Sequence, residues 1–463
     1  MTLAAVPEYD QRRVEQTGDR AVVVGGSMAG LLAGRVLADA YDNVVVLDRD
    51  PLPDDRVARR GVPQSTHAHA MLEAGRHTLE SLFPGYSESV LESGGVVIDM
   101  GSTFRHHDHG GLITDTDTEL PMYCASRPLF EQLVRERVRS HEGIELRGDC
   151  HVTGYLTDDA ENVDGVSYTA DGDDHELTAD LVVDATGRTS RTPEWLDTHG
   201  YESPPVEEVS VDLAYTTATV ERPPEDDRVI TVSPAAPDPR GGTAVPAEDG
   251  RWVVTLFGLH GDHAPTDIEG FEAYADSLAD PGIAQLLANH EYASGEIQKY
   301  PFPASLRRRY EQLDEFPDGL VVTGDAIASF NPIYGQGMSV AALDAMQLHE
   351  TLASGERRAL GTEFFEGAAT GIDTAWQMAT GADFEFPETE GPKPTGTDLL
   401  NRYTGAVMDA AHSDPVVAEQ FYHVMRMEEP PTTLLRPQVA ARVAANALSG
   451  RLPDVGLPSP TDG

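Results

Sequence analysis

The chain has 463 residues, 78 acidic against 33 basic, for a formal net charge of −45. That balance excludes ordinary nucleic-acid binding, which needs a basic footprint to displace phosphate counterions, and it opposes docking on anionic membranes. Apolar residues make up 40 %, enough for a real core at this length, so wholesale disorder is excluded as well.

The acid is dispersed; its longest unbroken run is Glu225-Asp226-Asp227. Lysine occurs only at Lys299 and Lys393, so arginine carries nearly all the positive charge. Such a composition reads as halophilic, because molar salt shortens the Debye length to about 3 Å and screens self-repulsion. Two cysteines, Cys124 and Cys150, without a C-x-x-C, exclude a disulfide framework or zinc ribbon and fit a reducing cytoplasm. Met1 to Arg20 lacks an apolar stretch behind a basic start, so no secretory leader is expected. No apolar run approaches the length of a membrane span.

The first ordered unit opens at Ala21-Val22-Val23-Val24, a β-branched run that predicts a buried strand. Gly25-Gly26-Ser27-Met28-Ala29-Gly30 follows, then helical spacing from Leu31 to Ala40, then a second strand over Val44 to Leu47 ending on Asp48. Gly25 makes the tight turn, and Gly30 permits close helix–strand packing. Ser27 stands where a second glycine would let backbone approach a pyrophosphate. The helix N-terminus offers free N–H groups to phosphate, and Asp48, 18 residues past Gly30, is placed for a ribose hydroxyl.

Further along, His67 and His69 sit two apart, able to share a face only on a strand. His106, His107 and His109 flank Asp108 and read as a polar surface loop, since no metal-ligand spacing is met. A helix is predicted over Pro128 to Arg139 and a strand over Ile144 to Arg147. Val182-Val183-Asp184-Ala185-Thr186-Gly187 reads as a strand running into a tight turn.

From Val209 the period changes to two. Val211–Val220, Val229–Val232 and Trp252–Leu259 predict an antiparallel sheet, with Gly241-Gly242 and Asp249-Gly250 as turn signals. Tyr215, Trp252, Phe257 and Tyr334 are pocket candidates that ordinary sheet packing would equally explain. One helix is predicted over Phe271 to Asn289. Gly319 to Val322 predicts a strand closed by Thr323-Gly324-Asp325-Ala326. The loop Asn331 to Met338 then opens a helix over Ser339 to Leu352, whose N-terminus can face a negatively charged ring. Ala379 to Thr397 reads as a loop or lid, Thr397 to Glu428 and Leu435 to Leu448 as helices, and the tail after Arg451 as frayed.

The blocks Gly25–Gly30, Asp48, Gly324-Asp325, Pro332 and Gly335-Gln336-Gly337-Met338 together resemble FAD-dependent monooxygenases of the aromatic-hydroxylase type. The likeness is to the 2-polyprenyl-6-methoxyphenol hydroxylase-like group, and the segment Arg59 to His69 resembles its bacterial members. The resemblance implies an α/β fold: a Rossmann-like, glutathione-reductase-like FAD-binding domain with an inserted antiparallel-sheet substrate domain and C-terminal helices. By position, the FAD-binding domain takes 20–75, 120–200 and 300–355. The substrate sheet takes 76–119 and 201–299, and the helical region 356–463. The resemblance implies that Gly25, Ser27, Met28, Ala29 and Gly30 cradle the cofactor. Asp48, with Arg49 beside it, holds the adenosine ribose. Arg59 approaches the pyrophosphate, Arg127 the ribityl or phosphate region, and Val152 the adenine through its backbone. Asp325 holds the ribityl chain, and Gly337 and Met338 aim N–H groups at the flavin N1/C2 edge, where a positive helix end stabilises an anionic reduced ring.

The implied chemistry is hydroxylation or epoxidation of a small apolar aromatic or isoprenoid substrate, with molecular oxygen activated at the flavin C4a and NAD(P)H as reductant. Thr186 departs from the family: it stands where the hydroxylases carry an aspartate, which counts against direct reduction by NADPH. The same departure favours an alternative, an FAD-dependent reductase that saturates isoprenoid double bonds. A halogenase needs a catalytic lysine, and neither Lys299 nor Lys393 has a matching context.

Overall fold

The computed structural model describes residues 2–158, 162–355 and 359–449. The predicted tail beyond Arg451 lies outside them.

Five parallel strands form the first sheet, in the order Leu320–Val322, Leu181–Asp184, Gly18–Val24, Tyr41–Leu47, Ile144–Arg147. Both faces are covered, which is why these strands read as unbroken valine runs. Ala21 and Val23 pack with the helices Met28–Leu37, Arg127–Ser140 and Gly337–Ser354. Val22 and Val24 face a small antiparallel sheet of His151–Thr157, Val163–Ala170 and Asp173–Thr178. The helix after the first strand starts at Met28, earlier than the spacing suggested. Gly30 makes this possible: a Cβ there would lie 1.7 Å from the Gly25 carbonyl oxygen.

The second sheet has eight strands, and its centre is the long strand Val206–Glu221 between Gln298–Arg308 and Arg251–Gly258. Arg240–Ala247, Val229–Val232 and Phe104–Asp108 continue it, the last pairing in parallel. Ala328–Ser329 joins its other edge, so this sheet reaches past residue 299 into the segment assigned to FAD binding. Conversely, Glu73–Leu82 and Tyr86–Glu92 are helices packed in the nucleotide-side core through Leu79, Leu82 and Tyr86.

Several local expectations need correction. Gly241-Gly242 lies inside a strand, not at a turn. A Cβ on Gly241 would meet the Phe257 ring at 2.3 Å, and one on Gly242 would meet Leu256 at 2.8 Å. The span 271–289 is two helices, Ile268–Asp276 and Gly282–Asn289, because Pro281 cannot continue the first. The span 397–428 is likewise split into Thr397–Ala411 and Pro415–Met425, with Asp414 capping the second by accepting from Val416 and Val417 N–H. The lid segment begins only after Asp383, where the helix Leu360–Asp383 ends. Beyond it the chain touches the sheet at the Ser210–Glu390 bridge. The C-terminal helices bury Val407, Met408 and Tyr422 against Ile98, Met122 and Val245, closing the far end of the molecule.

Candidate active site

One cavity of about 1400 Å³ runs from the glycine loop, between the two sheets, to the C-terminal helices. Single-ligand pockets usually hold roughly 300–1,000 Å³, so this one has room for a dinucleotide and a second molecule.

At the nucleotide end, Gly25 takes φ +109°, and a Cβ there would lie 2.4 Å from the Ala185 carbonyl. Ser27 precedes the helix without capping it, which leaves the first-turn N–H groups open to a ligand. Its hydroxyl donates to Glu131 (3.0 Å) and accepts from Arg127 (3.1 Å). Asp48 accepts from Gly26 N–H (2.6 Å), Asp50 N–H (2.8 Å) and Arg59 (3.1 Å). A carboxylate takes about four such bonds, so roughly one acceptor position stays free.

Glu131 is the hub that sequence reasoning missed. It lies within 2.7 Å of Arg59, 3.2 Å of Arg135 and 3.6 Å of Arg127. The signal was present as Arg127-Glu131-Arg135, an i, i+4 ladder on one helix face. Three buried guanidiniums against Glu131 and Asp48 leave an excess of one positive charge beside the glycine loop. Arg127 Nε is buried without a partner, a donor suited to a phosphate oxygen. Arg49 is exposed at the rim, and Val152 is half-buried on the cavity wall.

At the second helix, the turn Gly324–Ala326 presents Asp325 to the cavity, its carboxyl raised by burial against the pull of Arg127 and Arg188. Asn331 is buried and holds the following loop: it accepts from Ile333 N–H (3.1 Å) and from the Tyr215 hydroxyl (3.3 Å). Its amide donates to Asp383 (2.8 Å), and the Tyr334 hydroxyl donates to the same carboxyl (3.2 Å). Burial pushes the Asp383 carboxyl up to about 7. Gly335 takes φ +66°, and at Gly337 a Cβ would meet open space. Gln336 does not cap the helix, and its buried Oε1 has no partner.

Between the two ends, His67 Nδ1 is 2.7 Å from the Thr217 hydroxyl, which lies 2.7 Å from that of Thr255. Burial lowers His67 to about 4, so it is neutral at pH 7. His69 also lines the cavity. Thr186 is tied to Asp184, whose buried carboxylate also accepts from Ser190 and Thr192.

The histidines near 106 are not on a surface loop. His106 and His107 lie on the strand Phe104–Asp108, with His109 in the turn after it; the strand's alternation turns Phe104, His106 and Asp108 to the cavity and Arg105 to Asp280. His109, at φ +48°, bridges Asp108 (2.7 Å) and Glu385 (3.3 Å), and these partners raise it to about 10. The alternation F-x-H-x-D was the available signal. Among the described residues no His/Cys/Asp/Glu group has metal-holding geometry, and no helix is long and apolar enough to cross a membrane. Cys124 and Cys150 are buried and free.

Two uncapped helix ends, the unpaired Nε of Arg127 and two glycine turns thus face one cleft beside a second chamber. The FAD binding domain family matches residues 20–364, and the chain belongs to it, as an FAD-dependent oxidoreductase of the aromatic-hydroxylase monooxygenase type. It is similar to "Protein Rv3254" of Mycobacterium tuberculosis, 32 % identical over 430 residues, covering 88 % of this chain and 90 % of the relative. Kynurenine 3-monooxygenase of Salinispora tropica is 26 % identical over 367 residues, 76 % of each chain. In fold the chain resembles PqsL of P. aeruginosa in complex with 2-aminobenzoylacetate, at TM-score 0.61 and 19 % identity, covering 79 % of this chain and 95 % of that one.

Proposed function

We propose that the protein hydroxylates or epoxidises a small apolar aromatic or isoprenoid substrate, using molecular oxygen and reducing equivalents from NAD(P)H, in a salt-rich cytoplasm. The observation that carries this reading is the continuous cavity joining the glycine-loop cleft to a largely apolar chamber. FAD supplies the redox chemistry when bound; the chain supplies binding, orientation and exclusion of water.

Gly25, Ser27, Met28, Ala29 and Gly30 with the open helix end would receive the pyrophosphate, helped by Arg59 and Arg127. Asp48 would take the ribose hydroxyl with its remaining acceptor position, with Arg49 at the rim and Val152 against the adenine. Asp325 would hold the ribityl chain. Gly337 and Met338 would direct N–H groups at the ring, and the positive helix end would favour added negative charge there. Asp383 would hold this loop in place through Asn331 and Tyr334.

The test is a visible spectrum of protein purified in concentrated salt, followed by NADH or NADPH and oxygen uptake with candidate substrates. Flavin absorbance and substrate-stimulated oxygen uptake are expected. Asp325→Ala should weaken FAD binding about tenfold or more, the loss of a hydrogen bond to a charged acceptor. Protein that stays colourless with added FAD would overturn the reading. Anaerobic saturation of a polyprenyl double bond, with no oxygen uptake, would replace it by the reductase.

A further inference from the structure

We infer that the chamber beyond the dinucleotide cleft binds an uncharged, largely aromatic substrate through an N–H or O–H group donated to Nδ1 of His106, and that it rejects carboxylates; this rests on the monooxygenase reading above.

The first support is an orphaned atom. His106 is 3 % exposed and lines the cavity, yet its Nδ1 has no hydrogen-bond partner. A buried polar atom left unpaired costs roughly 1–3 kcal/mol, so it points to a ligand. The neighbours decide which proton state the ring has. The Asp108 carboxylate can only accept, and the Ser233 hydroxyl is bonded to it. The hydroxyl proton is thereby committed, and Ser233 Oγ accepts from His106 Nε2–H at 3.0 Å. With the proton on Nε2, Nδ1 is a bare lone pair. Burial lowers the basicity of this ring and keeps it neutral, despite Asp108 nearby. The chamber therefore offers an acceptor and asks for a donor.

The second support is the sign of the charge. The arginines that line the cavity are Arg49, Arg59, Arg127, Arg188 and Arg191; Arg59 and Arg127 sit at the glycine loop, and Arg188 lies over the Phe302 ring and donates to the Ala304 carbonyl. Neither lysine lines it. The far chamber carries Asp108 and Glu385 instead. Among the described residues that line this chamber, the cation is His109, and its two ring nitrogens are engaged by those carboxylates. A substrate carboxylate would meet two negative groups and no free positive partner, which is strongly unfavourable away from bulk water. The third support is shape and polarity. His106 stacks on Phe104 at 4.9 Å and on Phe421 at 6.2 Å, with Met408 and Met425 on the same wall. These surfaces favour a flat apolar body.

The test uses three probes of one shape: 2-naphthol, 2-methoxynaphthalene and 2-naphthoate, titrated calorimetrically into the FAD-loaded protein in concentrated salt. Naphthol should bind about tenfold more tightly than its methyl ether, a single hydrogen bond's worth, and naphthoate should not bind measurably. In His106→Phe the naphthol preference should vanish while the methyl ether still binds. Equal affinity for naphthol and its ether in the unaltered protein would overturn the inference, and that comparison needs no variant. So would tight binding of naphthoate. A protein that takes up no FAD would overturn the monooxygenase reading and the inference with it, whereas a yellow protein without donor preference overturns the inference alone.

Discussion

Glu131 sets the balance of charge at the glycine loop. It neutralises one of three buried guanidiniums and holds Ser27 in place. Removing one member of a buried ionic cluster costs about 3–5 kcal/mol, because the remaining charges lose their compensation. Here the uncompensated charges are positive, and with the pyrophosphate at the proposed place beside them cofactor binding would restore the balance. Glu131→Gln should therefore lower the melting temperature of the cofactor-free protein by several degrees and that of the FAD-loaded protein by less. An equal loss in both forms would show that Glu131 supports the fold without regard to the cofactor. Legibility differed residue by residue. The family resemblance put Arg59 and Arg127 beside the glycine loop, and the structure brings both guanidiniums to Gly26 and Ser27. Glu131 was readable in its i, i+4 ladder but was passed over. His106 was misread because a run of polar residues suggests solvent, while burial was decided by the strand paired beside it at Val229–Val232. Asp383 was unreadable, since its partner Asn331 is 52 residues away and only packing brings them together.

At the scale of elements, the loop from Asn331 to Gly337 is held from behind by the last residue of the helix Leu360–Asp383. This contact gives a pH dependence with a definite sign. The Asp383 carboxyl titrates near the ordinary 3.8 when unfolded and at about 7 when folded. Between these values the folded state binds more protons, so stability falls as pH rises from about 4 to 7 and then levels off. Asp383→Asn keeps the shape and removes the titration. Its melting temperature should fall less than the unaltered protein's between pH 5 and 8, and the gap between the two curves should widen up to about pH 7 and stay constant above it. Parallel curves would place the ionisation elsewhere. The valine strands and the helices at each glycine motif were legible because period and motif agree there. The breaks at Pro281 and Pro415, and the strand through Gly241-Gly242, were not. Each depends on a local residue that serves either a turn or a close contact, and the neighbouring side chains decide which.

The whole molecule carries an excess of 45 negative charges around a cofactor site that is locally positive. Two like charges about 10 Å apart in water repel by about 0.4 kcal/mol. Counting one such neighbour for each excess charge gives about 18 kcal/mol unscreened, more than the roughly 5–15 kcal/mol by which a domain is stable. Screening cuts this to about a third at 0.1 M salt, where the Debye length is about 10 Å, and to about a thirtieth at 1 M, where it is about 3 Å. The repulsion is thus several kcal/mol in dilute buffer and under about 1 kcal/mol in molar salt. The buried arginine cluster is shielded from the solvent ions and should not respond in the same way. Lowering the salt from about 3 M to 0.1 M should therefore lower the melting temperature first, and flavin should leave only as the protein unfolds. Following flavin fluorescence and circular dichroism through one dialysis series checks this. Superposed transitions that begin below about 1 M are expected. Flavin release from protein that keeps its native circular dichroism would place the salt sensitivity in the cofactor site, and a melting temperature unchanged in dilute buffer would remove the case for adaptation to salt.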